Sequence, residues 1–195
     1  MSPLPRGGSL RAIGGDRGTI LAVDSAVLLT FDELREVVDP WRRDSVIADG
    51  DGVSLADVIP PHMTIASPAH SDPLSDAAGG LLQESVEGIS PFWLRFSEVA
   101  TFPHGTVFIA PDHSDDLDRL FQQLADGFRG FGGIRADHVW HLSIARRGGM
   151  PLAERFRTSF EPIRVPVEHV AIWTQDEPAS PWLMRHRARL TDPAR

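Results

Sequence analysis

Hydrophobic and polar positions follow two rhythms along this chain. The stretch TILAVDSAVLLTF from Thr19 is rich in Val, Ile and Leu and predicts one buried strand with a bend at Asp24-Ser25. Thr30, followed three residues later by Glu33, has capping-box spacing and predicts a helix start, with Pro40 ending or kinking that helix. Residues 42 to 58 are polar and rich in Gly and Asp, and read as a loop. A strand carrying PPHMTIASP follows. Asp72-Pro73 then reads as a cap and first-turn proline, with Leu74, Ala77, Ala78, Leu81, Leu82 and Val86 in helical period and Gly88 closing the helix.

The second half presents the same parts again. FWLRFSEVATF and GTVFIAP read as strands joined near Pro103-His104-Gly105. Ser114 caps a helix with Leu117, Leu120, Phe121, Leu124 and Phe128 on one stripe. RGFGGIRAD is a loop, WHLSIAR a strand, and a short helix is expected around Leu152 to Phe160. IRVPVEHVAIWT and WLMRHRARL read as two late strands, the second at an edge. This order suits an α+β protein whose sheets are covered by helices on one side. The chain divides into an arm over residues 1–18 and a single domain over 19–195, which is long enough for one substantial core.

HMTIA at residues 62–66 and HLSIA at 141–145 share one pattern: His, apolar, hydroxyl, Ile, Ala. They start 79 residues apart, each on the second strand of a strand-helix-strand unit, which reads as an internal duplication. Side chains alternate along a strand, so His62 and Thr64 share one face, as do His141 and Ser143. Met63, Ile65, Leu142 and Ile144 point the other way, into the core. Each motif therefore delivers an imidazole and a hydroxyl to one surface. If the two units face each other, a neutral His takes a proton from an attacking oxygen and a protonated His gives one to the leaving oxygen. Thr64 and Ser143 would donate to phosphoryl oxygens as charge builds there. Either His can be the base on this reasoning.

Composition narrows the chemistry. The formal net charge is -8, which argues against a broad basic face for long nucleic acid but leaves room for a small phosphoester or a short oligonucleotide. All 19 basic residues are Arg; Lys, Cys and Tyr are absent. Disulfides, zinc-thiolate sites, P-loop lysines and nucleophiles of those three types are excluded. No apolar run is long enough for a membrane span, and the N-terminal stretch lacks a signal-type apolar core, so a cytoplasmic location is expected. A zinc site built on His62, His141 and a carboxylate is the rival assignment. It lacks any close His-Glu-x-x-His pair and would leave the paired hydroxyls without a task, so neither metal nor cofactor is expected.

PPHMTIASP and WHLSIAR resemble the paired His-x-Thr/Ser motifs of the two-histidine phosphoesterase superfamily, the bacterial 2'-5' RNA ligase and cyclic phosphodiesterase group. LREVVDPWRR at 34–43 is similar to a segment of many bacterial members, and the resemblance covers most of residues 19–190. It implies a bilobal fold with pseudo-twofold symmetry, antiparallel sheets with outer helices, and a central cleft. It also implies catalytic roles for His62 and His141 with Thr64 and Ser143 as partners, and a reaction needing no metal or nucleotide cofactor. The reaction expected is opening of a 2',3'-cyclic phosphate. The alternatives are making or breaking 2'-5' RNA linkages, a specialised metabolic reaction on the same scaffold, and a non-catalytic nucleotide-binding module.

Further candidates are substrate contacts. Arg146 or Arg147, at the end of the second motif, is shaped to anchor a phosphate, although strict alternation turns Arg146 away from His141. Phe102 and His104, at a strand junction, are placed to stack on a base, against the plainer reading of a core Phe and a surface His. Trp140 alternates into the core. Trp173 and Trp182 cover the cleft's rim or staple the last strands. His70, His113, His138, His169 and His186 join no constellation and read as surface or structural.

Overall fold

The structure is a computed structural model that describes residues 24–45, 53–66, 76–128, 139–147, 149–177 and 180–192. The expected arm at 1–18, the Asp72-Pro73 helix start and the Gly-rich loop at 129–137 lie outside the described residues. So do His70 and His138.

Among the described residues, eight strands form one antiparallel sheet: β1 (Asp24–Thr30), β2 (His62–Ala66), β3 (Phe92–Thr101), β4 (Val107–Pro111), β5 (Leu142–Ala145), β6 (Ile163–Val167), β7 (His169–Gln175) and β8 (Leu183–Arg189). Their spatial order is β6-β3-β4-β5-β2-β1-β7-β8. Among the described residues, five helices accompany them: α1 (Arg35–Asp44), the single turn α2 (Leu55–Val58), α3 (Asp76–Ser85), α4 (Asp115–Gly127) and α5 (Gly149–Ser159). The order divides at the β5/β2 junction into two halves with the same plan. In each half the motif strand lies innermost, beside the strand that precedes it in the chain. The duplication read in the sequence is thus a near-twofold relation about the line between the two motifs.

Alternation along the strands sends Val27, Leu29, Met63, Ile65, Leu142 and Ile144 to one face, where they join a continuous core with residues of α1, α3, α4 and α5. There α3 covers β7 and β8, α4 packs on β2, α1 on β5, and α5 on β3 and β4. Full burial of one such Leu or Ile stabilises by about 1.5–3 kcal/mol, so this shared face dominates the favourable side of folding. Ser114 caps α4 by accepting from the Leu117 N–H, as its position predicts. The opposite face carries the polar members of both motifs and is here called the open face. A small apolar cluster of Ala26, Leu28, Val58 and Ile59 also sits on it.

Several local expectations change. Thr30 stays in β1, paired with His62, and caps nothing; the chain turns through a 3-10 turn at Asp32–Leu34 before α1 begins. The sheet ladder claims Thr30 more strongly than a cap does. Pro40 lies inside α1, which continues to Asp44. The carbonyl left without a donor belongs to exposed Glu36 and faces water, while buried Val38, Asp39 and Arg42 hold the helix in place. The segment read as loop from 42 to 58 therefore contains the end of α1 and all of α2, capped by Ser54. The helix expected near Leu152 begins at Gly149, with Pro151 in its first turn.

IRVPVEHVAIWT is two strands, not one. β6 ends at Val167 and β7 begins at His169, yet they stand six places apart in the sheet. In a flat sheet that would be about 29 Å, whereas two residues of chain span at most about 7 Å. The sheet must therefore curl until the ends of β6 and β7 meet, giving the half-barrel shape. Among the described residues no helix is long and apolar enough to cross a membrane.

Candidate active site

The two motifs meet at the centre of the sheet. β2 and β5 pair antiparallel with Met63 opposite Leu142. That register sets His62 beside Ser143 and Thr64 beside His141, with all four side chains on the open face. The imidazoles occupy one diagonal of this square and the hydroxyls the other. All four residues are half-buried.

Each histidine is held in the same way. His62 Nδ1 lies 2.9 Å from the carbonyl of Pro60, and His141 Nδ1 lies 2.7 Å from the carbonyl of Val139. Both partners are two residues upstream. A carbonyl only accepts, so each Nδ1 is the donor, and each neutral ring keeps its lone pair on Nε2. The prolines explain the first hold: Pro61's carbonyl is fixed by the Phe31 N–H at 2.8 Å, and the two prolines stiffen the approach to His62.

Burial pushes the His62 pKa down to about 4, and the positive charges of Arg42 and of protonated His141 push it the same way, against the Pro60 hydrogen bond. His62 is therefore neutral at pH 7. The unfolded chain binds a proton at about 6.5, so between that pH and about 4 the unfolded state holds more protons. The stability contributed by neutral His62 is fully present above this window and is lost as pH falls through it. We expect the stability measured by denaturant unfolding to fall between pH 6.5 and pH 4, and to fall less in His62→Gln. An equal fall in that variant would contradict this origin.

Arg42 is the residue that sequence reading missed. It is fully buried, donates to Asp39 at 2.8 Å and to the Ile59 carbonyl at 2.9 Å, and its own carbonyl accepts from Ser45 and Ser54. Burial lowers its pKa, opposed by Asp39, and an arginine remains charged under such conditions. It ties α1 to the backbone three residues before His62. The signal was present in the sequence: Asp39 and Arg42 are spaced i,i+3 on a helix.

Around His141 the open face is aromatic. Phe102 meets His141 edge-on at 5.0 Å and Phe108 does so at 5.5 Å, while Phe102 stacks on Phe108 at 4.3 Å and on His104 at 5.4 Å. Phe102 is half-buried and His104 exposed. The tight turn at 102–106 that carries them depends on Gly105, whose φ of 96° suits glycine alone. The Thr106 hydroxyl donates to the Arg146 carbonyl and the Gly149 N–H to the Gly105 carbonyl, so Arg146 and Arg147, both exposed, adjoin this turn. Trp140 packs against the core and donates to Asp118. No group of three His, Asp or Glu residues among the described residues is arranged as metal ligands.

No curated protein matches the chain by sequence. Solved structures match it closely in shape. The E. coli LigT protein complexed with 3'-AMP superposes with a TM-score of 0.64 at 15% identity, covering 87% of this chain and 98% of that one. A crystal structure described as a phosphoesterase gives 0.63 at 15%, covering 87% and 99%. TT0787 of Thermus thermophilus gives 0.60 at 18%, covering 87% and 98%. At these identities the likeness speaks for the fold. Residues 30–179 match the family described as the 2'-5' RNA ligase superfamily. The mirrored His-x-Thr/Ser strands and the curled sheet thus belong to a member of the 2'-5' RNA ligase superfamily.

Proposed function

We infer that this protein is a metal-independent phosphoesterase that opens a 2',3'-cyclic phosphate by acid-base catalysis between His62 and His141. The observation that carries this reading is the matched tethering of the two imidazoles, Nδ1 to a carbonyl two residues upstream, on adjacent strands of one face. Two rings with the same tautomer and opposite tasks are what in-line displacement at phosphorus requires.

The lowered pKa of His62 favours this ring as the base. Neutral His62 takes the proton of the attacking water at Nε2. The water oxygen bonds to phosphorus as the bond to one ribose oxygen breaks, and His141, protonated, delivers its Nε2 proton to that leaving oxygen. One water is consumed and one phosphomonoester formed; His62 then releases its Nε2 proton to solvent and His141 takes one up, which restores the starting states. Thr64 and Ser143 donate to the non-bridging oxygens, where one such donor is typically worth about 10²–10³ in rate. Phe102 and His104 supply a stacking shelf for the base beside His141, and Arg146 or Arg147 anchors phosphate at its edge. The E. coli LigT structures complexed with 3'-AMP, ATP and NADP+ support a small phosphate-bearing ligand on this fold.

The family description favours one other reading, cleavage or formation of 2'-5' RNA linkages by the same four residues. A turnover screen decides between them. Nucleoside 2',3'-cyclic phosphates, ADP-ribose cyclic phosphate and short 2'-5' oligonucleotides are offered in excess chelator. Turnover of a cyclic phosphate with rates unaffected by chelator is the expected result. Activity confined to 2'-5' linkages selects the second reading, and activity lost in chelator and restored by zinc overturns the metal-free mechanism. Tight binding of all three without turnover would make the protein a binding module.

A further inference from the structure

The two halves of the open face are not alike. On the β1 side a strap crosses it. Val58 and Ile59 pack on Ala26 and Leu28, with Trp173 and Trp182 beside them, and the Trp182 N–H donates to the Val58 carbonyl at 2.7 Å. Leu28 is fully buried beneath this cover. On the β4 side the face stays accessible: Ala100 and Ala110 are half-buried, and Glu98 is exposed. A substrate whose phosphate lies between His62 and His141 can therefore extend over β4 and β3, but not over β1 and β7.

Two rows of paired residues cross that accessible half. Continuing the register of Ile109 with Leu142 sets Ala110 beside His141, and Ala110 pairs with Glu98. Two strand spacings, about 10 Å, thus separate the backbones of His141 and Glu98. In the next row Ser143 pairs with Phe108, and Phe108 with Ala100. Glu98 is then the diagonal neighbour of Phe108, about 7–8 Å away at the backbone. The small side chains of Ala100 and Ala110 floor a shallow trough. His141 stands at one end of it, the stacked rings of Phe102 and Phe108 along one side, and Glu98 at the far end. A flat base attached to the reacting ribose fits such a trough.

Glu98 reaches this face through a bulge. Phe92, Leu94 and Phe96 enter the core at even numbers but Val99 at an odd one, because β3 carries an extra residue between Phe96 and Glu98. Without it, alternation would send Glu98, Ala100 and Phe102 into the core. Bulges beside active sites re-aim side chains in this way. The charge of Glu98 is also uncommitted. Arg95, on the same strand, is held by Asp112 at 2.8 Å, and Ser97 donates to that same carboxylate. Among the described residues Glu98 has no hydrogen-bond or ion-pair partner.

We propose that Glu98 is a specificity-determining residue that reads the base of the substrate and selects guanine. The inference rests on the reading of His62 and His141 as the reacting pair. A carboxylate only accepts hydrogen bonds. Guanine offers it two parallel donors, the N1–H and the N2 amino group, which a carboxylate takes as it takes the two donors of a guanidinium. Adenine and cytosine offer one amino donor beside the lone pair of a ring nitrogen. Uracil offers a single N–H flanked by two carbonyl oxygens, which the carboxylate repels. The expected order places guanine first and uracil last.

The test measures kcat/KM of the parent protein and of Glu98→Gln on the 2',3'-cyclic phosphates of guanosine, adenosine, cytidine and uridine. The parent should favour the guanosine substrate over the uridine one by about tenfold or more. In the variant that ratio should fall by about tenfold, through KM for the guanosine substrate, because an amide keeps one acceptor and sets a donor against the second guanine donor. Titration calorimetry with guanosine 3'-phosphate and uridine 3'-phosphate reads the same preference without turnover. A parent with no guanine preference by either readout, or a preference that Glu98→Gln leaves intact, overturns the proposal. If the binding preference is present and is lost in the variant while no cyclic phosphate is turned over, the acid-base reading fails and the base-reading role stands. If all four substrates are turned over alike, the acid-base reading stands and Glu98 has no part in selection.

Discussion

Alanine at His62 or at His141 is expected to lower kcat on the true substrate by about 10²-fold or more. Neither imidazole has a stand-in within its motif, because the neighbouring Thr64 and Ser143 hydroxyls donate but do not exchange protons near neutral pH. The two single variants should be comparably impaired and the double variant little worse, since acid and base act in one transition state and their losses do not add. The pH dependence separates them. In the parent protein the acid limb of kcat/KM should lie below the ordinary histidine range, because it reports His62, whose pKa is about 4. Turnover unchanged by either alanine would remove the acid-base mechanism altogether. A double variant losing the product of the single losses would mean that the rings act in separate steps.

Arg42→Met should be the most damaging substitution away from the rings. It leaves the Asp39 carboxylate, 5% exposed, buried without its main counter-ion, and it strips the Ile59 carbonyl of its donor. Breaking a buried pair from one side costs about 3–5 kcal/mol, a large share of a domain's stability. Replacing both partners, as in Asp39→Leu with Arg42→Met, should recover much of that loss because no buried charge remains. A second effect is chemical. The Arg42 charge helps keep His62 unprotonated, so in the folded fraction of Arg42→Met the acid limb of kcat/KM should move to higher pH. Denaturation midpoints and pH profiles of the single and double variants check both claims. An unmoved limb would reduce Arg42 to a structural strut.

The motif strands were legible because their information is local. A period of two fixes which side chains of HMTIA and HLSIA enter the core, and Met63 and Leu142 are fully buried as that period requires. Ser114 was legible for the same reason, since a cap is a contact over three residues. What escaped is long-range. Only a change of phase marks the step between Val167 and His169, with Val165 and Val167 facing the core before it and Val170 and Ile172 after it, while the partner strand changes from β3 to β1. Thr30 carried a cap signal that its pairing with His62 overrode. Arg42 read as one more polar residue at a loop start, since a buried arginine differs from an exposed one only through the partners that surround it. That His62 is held neutral was equally hidden, because the bias comes from burial and from Arg42, which lies twenty residues upstream.

The claim on which the functional account depends is that the imidazoles of His62 and His141 flank one phosphorus atom. A crystal structure of the complex with a nucleoside 2',3'-cyclic vanadate, whose metal centre imitates phosphorus in the transition state, tests it most directly. The account predicts vanadium between the two rings, with the Nε2 atoms on opposite sides and each about 2.6–3.2 Å from an apical oxygen. Vanadate seated away from β2 and β5, or reached by only one of the two rings, would contradict it.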